Sequence, residues 1–162
     1  MNTELKRIES EIEVRTYIAR IKHALNNGAK ITFQKERFVD EQRDEKYTNK
    51  YTMASLFPDE NPLDVLRREL LTLTVEDYIC SVKDTRYPKL SEMRAFGKIY
   101  NSVEEVYIKL RVELIALNGV GEHNTFVMSF HFAEKPFDKE TFPYRKNDIW
   151  EEAPYEHFKK RM

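Results

Sequence analysis

Two stretches in the chain alternate apolar and polar residues so regularly that they leave little choice of local structure. Residues 105 to 117, EVYIKLRVELIAL, put Val106, Ile108, Leu110, Val112 and Leu114 on one side, and Tyr107, Lys109, Arg111 and Glu113 on the other. Successive side chains on a strand point to opposite faces, so this is a strand buried on one side. Residues 125 to 132, TFVMSFHF, repeat the pattern, with Phe126, Met128, Phe130 and Phe132 against Val127, Ser129 and His131. The segment Asn118 to Asn124 between them carries Gly119 and Gly121 and is able to reverse the chain. The expected product is an antiparallel hairpin with one face on helices and one face open. Residues 95 to 100, AFGKIY, read as a shorter strand before it, with Asn101-Ser102 as the turn.

Something must cover the apolar face of that sheet. Leu5, Ile8, Ile12, Ile18, Ile21 and Leu25 recur at helical spacing, which predicts one amphipathic helix over residues 1–28, capped by Asn2 or Thr3 and stopped at Gly28. His23 falls off that stripe and reads as solvated. AKITFQ at 29 to 34 reads as a short strand, residues 35 to 50 as a loop or flap, and YTMASLF as a brief helix. Asn61-Pro62 starts a further helix, with Leu63, Leu66, Leu70 and Leu71 as its apolar face. Thr74 and Asp77 have capping-box spacing and predict another helix, with Cys80 as packing, ending near Pro88. From Ala133 onward, prolines and aromatics (Phe137, Phe142, Tyr144, Trp150, Tyr155, Phe158) suggest an extended arm over the domain, ending in a short helix through Glu156 to Arg161. The reading is one α+β domain spanning 1–162. It has an N-terminal helix at 1–28, a helix-plus-sheet core at 61–132 and an arm at 133–162, with helices on one face of an antiparallel sheet.

Charge and composition narrow the function. The net charge is −1, which excludes a globally basic nucleic-acid binder. Lys83 to Arg111 is the local exception, with seven basic residues against four acidic ones, although a solvated mixed surface fits the same count. The single cysteine, Cys80, rules out an intramolecular disulfide and points to a reducing, cytoplasmic setting. No apolar run suggests a signal peptide or a membrane span. The four histidines, 23, 123, 131 and 157, have no metal-ligand spacing, and neither a phosphate-cradling glycine loop nor a G-x-S-x-G elbow occurs, so no metal and no cofactor are expected.

The open hairpin face is where chemistry would sit. It gathers a phenol (Tyr107), an imidazole (His131), a hydroxyl (Ser129) and two cations (Lys109, Arg111). Such groups suit cleavage of a phosphodiester by the adjacent ribose 2′-hydroxyl. One group takes the hydroxyl proton, cations stabilise charge on phosphorus, and an acid protonates the leaving oxygen. The bland alternative is a half-exposed sheet in which Lys109 and Arg111 pair with Glu105 and Glu113.

A run of motifs adds to this. The chain reads LLTLTVEDY at 70 to 78, FGK at 96 to 98, EVYIKL at 105 to 110, SFHFAEKP at 129 to 136 and FPYR at 142 to 145. In this order and spacing they resemble the motility quorum-sensing regulator (MqsR) family of ribonuclease toxins over roughly residues 65 to 145. The resemblance implies a RelE-like helix-on-sheet fold. It implies metal-independent endoribonuclease activity on messenger RNA and an antitoxin protein as partner; DNA by itself is not an expected partner. The family's tyrosine of the Y-[IL]-K strand falls on Tyr107, and its basic residue after Ser-Phe falls on His131. A third catalytic group, a polar residue before that strand, is assigned to Lys98 by proximity. Lys109, Arg111, Arg94 and Lys83 are the candidate substrate-binding cations. The family's lysine after the D-[FY]-Y segment is here Cys80, with Lys83 the nearest replacement. The competing reading is a noncatalytic protein-binding module on the same fold.

Overall fold

The computed structural model describes residues 3–35, 44–117 and 120–145, with residues 114–117 and 120–123 as backbone. The hairpin strands are β5 (Glu104–Leu117) and β6 (Val120–Phe132), longer than the alternation indicated because β6 takes in most of the expected loop. Before them come β3 (Tyr78–Asp84) and β4 (Met93–Tyr100), giving an antiparallel meander. Asn101 and Ser102 both have positive φ, 52° and 67°, and turn β4 into β5 with a Val103 N–H to Tyr100 O bond of 3.1 Å. Two outer strands come from the N-terminus: β1 (Glu4–Arg7) and β2 (Lys30–Phe33). The sheet order is β1-β3-β4-β5-β6-β2, with β2 parallel to β6, so the sheet is mixed rather than purely antiparallel. Three helices, α1 (Glu11–Asn26), α2 (Asn49–Leu56) and α3 (Pro62–Leu70), supply the helical cover.

The N-terminal helix is shorter than its periodicity predicts. Ser10 caps α1 with Glu13 in a reciprocal capping box, and that local signal overrides the apolar spacing upstream. Leu5, Ile8 and Ile12 consequently lie exposed, at 62%, 55% and 74%. The buried stripe is Val14, Tyr17, Ile18, Ile21, Ala24 and Leu25. The end of α1 is tied to α3 by Arg67, which donates 2.8 Å hydrogen bonds to the carbonyls of Leu25 and Ala29.

The helix expected at Thr74 does not form either. The Thr74–Asp77 capping box is present, but it closes only a 3-10 turn, Val75–Asp77, after which the chain enters β3. Tyr78, Ile79 and Val82 are strand formers, and pairing with β4 outweighs the helical cap. Pro62 and the Asn61 cap open α3 as expected, yet its buried residues are Val65, Leu66 and Leu70, while Leu63 is exposed. Of the expected loop at 35–50, residues 36–43 lie outside the described residues; Glu45–Tyr47 form a 3-10 turn and Asn49 begins α2. The arm beyond Arg145 and its expected short helix also lie outside them.

The helix-covered face holds the main core: residues from α1 and α3 pack on Tyr78, Phe96, Val106, Ile108, Leu110, Val112, Val127 and Phe130. At its edge lies one deeply buried charge, Glu9, only 4% exposed. Arg94 grips it with two bonds of 2.8 and 2.9 Å. Ser81 donates to the same carboxylate. The Glu9 N–H donates to Tyr78 Oη at 3.1 Å, and Tyr144 Oη donates to the Glu9 carbonyl. The guanidinium of Arg94 also sits 4.2 Å from the centroid of Tyr17.

The Arg94 guanidinium, helped by Ser81, holds the Glu9 carboxyl below the usual carboxylate range against the opposing effect of burial. Removing Arg94 leaves the buried Glu9 carboxylate only Ser81 and a longer 3.4 Å contact with Arg7, so Arg94→Met is expected to cost about 3 kcal/mol, the lower end for breaking a buried pair. Because the folded value is depressed, the stabilisation is present at neutral pH and is lost as pH falls through that value. Urea denaturation across pH checks both points. The gap between wild type and Glu9→Gln should be widest above roughly pH 5 and should close in more acidic solution.

Candidate active site

Cross-strand register fixes what the second face of the sheet carries. Tyr107 is directly opposite His131, and Gly97 is opposite Tyr107, so these three form one row across β4, β5 and β6. The rings of Tyr107 and His131 lie 5.7 Å apart, tilted by 35°. The next row is Cys80, Ala95, Lys109 and Ser129. Beyond it Arg111 is opposite Phe126, its guanidinium 4.8 Å from that ring's centroid. Tyr107, Lys109, Arg111, Ser129 and His131 therefore share one surface.

A β-bulge makes this arrangement possible. Lys109 pairs with Ser129 but Leu110 pairs with Val127, so Met128 is the extra residue. Simple alternation put Phe126, Met128 and Phe130 on one face and Val127 on the other. With the bulge, Val127 and Phe130 both face the helices and are fully buried, while Phe126 and Met128 join a second apolar cluster with Cys80, Val82, Met93 and Ala95. The second face is thus part apolar, and its polar groups sit low in it. His131 is 6% exposed and Ser129 1%, while Tyr107 and Lys109 keep partial access.

His131 Nδ1 lies 2.9 Å from the Phe132 carbonyl oxygen. A carbonyl only accepts, so in this contact Nδ1 carries the hydrogen. Lys109 Nζ lies 3.8 Å from Glu4, and Arg111 is paired closely with Glu113. Lys6 belongs to the same face, because β1 pairs Lys6 with Val82. The helical reading of residues 1–28 hid Lys6; nothing in its own neighbourhood marked it as part of a sheet. Burial pushes the Cys80 thiol up, keeping it protonated despite nearby Lys6 and Lys109.

Three of the expected cations are not brought to this site. Lys98 is paired with Val106 on the helix-covered face, where Nζ is 3.3 Å from the Thr72 carbonyl and 3.5 Å from Asp77. Arg94 is paired with Leu110 on that same face and is committed to Glu9. Lys83 is one residue out of phase with Val82; its Nζ donates to the carbonyls of Pro88 and Leu90. The cause is common to all three: proximity in sequence does not respect strand parity, which sends odd and even positions to opposite faces.

Two aromatics of the segment after β6 pack on the site row at Gly97, within the described part (133–145) of the expected arm. A Cβ added at Gly97 would fall 2.8 Å from Phe142 Cζ and 2.9 Å from Phe137 Cε2 and Cζ. Both rings thus rest on the glycine backbone beside Tyr107. Phe142 is 2% exposed and Arg145 stacks 3.8 Å over it. Arg145 in turn bonds Asp77 at 3.2 Å, and the Phe137 N–H donates to Glu105 at 3.1 Å. On the helix side, a separate groove of about 380 Å³ is lined by Tyr47, Tyr51, Val103, Glu104, Glu105 and Phe132.

Among the described residues, no helix is long and apolar enough to cross a membrane, and no group of three or more His, Cys, Asp or Glu side chains could hold a metal ion. No protein-family profile, curated protein or solved structure matches the chain.

Gly97 is the position on which this cover depends. Gly97→Ala must displace two pinned rings, and overpacking of this kind typically costs about 1–3 kcal/mol. A thermal melt should show that loss. Near-ultraviolet circular dichroism should change through the displaced phenylalanines, while the far-ultraviolet signal of the sheet persists.

Proposed function

We propose that this protein is an MqsR-like toxin: an endoribonuclease that cleaves messenger RNA without a metal and is neutralised by an antitoxin protein. The finer assignment of the mixed α+β sheet to the RelE/MqsR-like fold, and a cytoplasmic setting, belong to the same proposal. The observation that carries it is the direct pairing of Tyr107 with His131, one row from Lys109 and Ser129. The two positions at which the resemblance places catalysis are cross-strand neighbours.

The chemistry follows from the groups present. His131 Nε2 takes the proton of a ribose 2′-hydroxyl, and the 2′-oxygen attacks the adjacent phosphorus. As the bond to the 5′-oxygen breaks, the Tyr107 hydroxyl donates its proton to that oxygen. The products are a 2′,3′-cyclic phosphate and a free 5′-hydroxyl. Lys109 and Arg111 hold the phosphate and stabilise the charge that develops on it. Lys98, Arg94 and Lys83 take no part, given where their side chains lie. DNA, lacking the 2′-hydroxyl, is not cut.

A noncatalytic, protein-binding reading has its own support in the groove beside Tyr47, Tyr51 and Phe132. Its aromatic rings, the carboxylates of Glu104 and Glu105 and the Lys46 ammonium, 5.0 Å from the Tyr47 ring centroid, make a mixed groove that suits a peptide segment carrying both apolar and charged side chains.

Purified protein incubated with single-stranded RNA in a chelator separates the two readings. Cleavage is expected, with His131→Ala and Tyr107→Phe each lowering the rate by about 10²–10⁴-fold while melting near the wild-type temperature. Lys98→Met should retain the wild-type rate per folded molecule. Absence of cleavage at any protein concentration, or cleavage that survives both site substitutions, removes the ribonuclease assignment.

A further inference from the structure

We infer that Phe137 is the wall of the Tyr107–His131 site on which one nucleobase of a single-stranded RNA stacks. This deepens the ribonuclease reading and rests on it for the identity of the site. Three observations converge on Phe137. The first is place. Its ring edge lies against the Gly97 backbone, and Gly97 is the direct cross-strand partner of Tyr107. Only a residue without a Cβ allows an aromatic ring that close to the strand.

The second is rigidity. Phe142 meets Phe137 edge-to-face at 5.1 Å and 81°. Phe142 is itself clamped between Gly97 and the Arg145 guanidinium, which Asp77 fixes in turn. The Phe137 N–H is held by Glu105, and Asp138 closes the next turn by accepting from the N–H groups of Glu140 and Thr141 at 2.8 and 3.1 Å. The ring is set before any ligand arrives, so little side-chain freedom is lost on stacking.

The third is division of labour between the two rings. Phe142 is buried and acts as the support, whereas Phe137 is only half-buried. Lys109, the nearest phosphate-holding cation on this face, lies two residues along β5 from Tyr107, roughly 7 Å away by strand geometry. That is about the reach of one nucleotide. A phosphate on Lys109 and a base on Phe137 would place the intervening ribose beside Tyr107 and His131. Stacking on aromatic rings tolerates every base, so this wall contributes affinity rather than sequence choice.

The test uses the full chain with Phe137→Leu, Phe137→Ala and Phe137→Trp. Leucine keeps the apolar filling against Gly97 but has no aromatic face, which separates stacking from packing. Two readouts are needed: cleavage kinetics on a single-stranded RNA, and binding of a fluorescein-labelled 2′-O-methyl oligonucleotide that cannot be cleaved. Loss of one base-stacking contact is expected to weaken binding and raise KM about tenfold in Phe137→Leu and Phe137→Ala, with kcat little changed and the melting temperature of Phe137→Leu near wild type. Phe137→Trp should bind as tightly as wild type or tighter. Wild-type binding and KM in Phe137→Leu would overturn the inference and leave the ribonuclease reading standing. Ring-dependent binding without cleavage by the wild type would uphold the wall and remove the ribonuclease. A wild type that neither binds nor cleaves removes both.

Discussion

A single buried carboxylate organises the meeting of chain segments that are far apart in sequence. Glu9 sits at the junction between β1 and α1, Ser81 and Tyr78 come from β3, Arg94 from β4, Tyr17 from the middle of α1 and Tyr144 from the segment after β6. An isolated charge in that position would be strongly unfavourable. Each partner must therefore be in place together, and each brings its own element with it. This is specification more than net stabilisation, since well-packed apolar residues could match the energy of a buried ion pair. The candidate site inherits the result. Arg94 fixes β4 in the register that puts Ala95 and Gly97 on the second face, and Tyr144 holds the end of the segment carrying Phe137 and Phe142.

The bulge at Met128 resolves a conflict between core and surface. A strand as long as β6 has to keep apolar residues on the helices along its length while also presenting Ser129 and His131 to the other side. Strict alternation would have put Val127 with Ser129 and Phe126 with Phe130. One extra residue changes the phase midway, so Val127 and Phe130 both fill the core and Phe126 remains available to the Arg111 guanidinium. Bulges recur beside functional sites because they redirect side chains without interrupting the sheet.

The parts of this fold that could be read from sequence are those where a local pattern and its tertiary setting agree. The β5 alternation, the Asn61-Pro62 helix start, the Asn101-Ser102 turn and the aromatic cover after β6 are of this kind. The failures have a common physical source, in which a local signal was satisfied in a smaller way than expected. The Thr74–Asp77 box capped a single 3-10 turn, and the aliphatic spacing of residues 5 to 12 straddled a strand and a helix cap. At the site, Tyr107, Lys109 and Arg111 were legible because they share one uninterrupted alternation. Lys98 and Arg94 were misplaced because β4 is short and its parity relative to β5 is set only by pairing. Gly97 enters the sequence reading only as the middle of the FGK motif, since its structural importance lies in what rests on it from forty residues away.

Both outer strands of the sheet come from the first 33 residues, on either side of α1. The meander from β3 to β6 is built from neighbours in sequence and can assemble early, but its two flanks stay unpaired until the N-terminal segment clasps them, one antiparallel and one parallel. Until then each flank is a row of unsatisfied amides, a template for another polypeptide. The segment holding β1 and β2 is thus what closes both edges of the meander. If it docked on a neighbouring copy, two molecules would be interlocked by domain swapping.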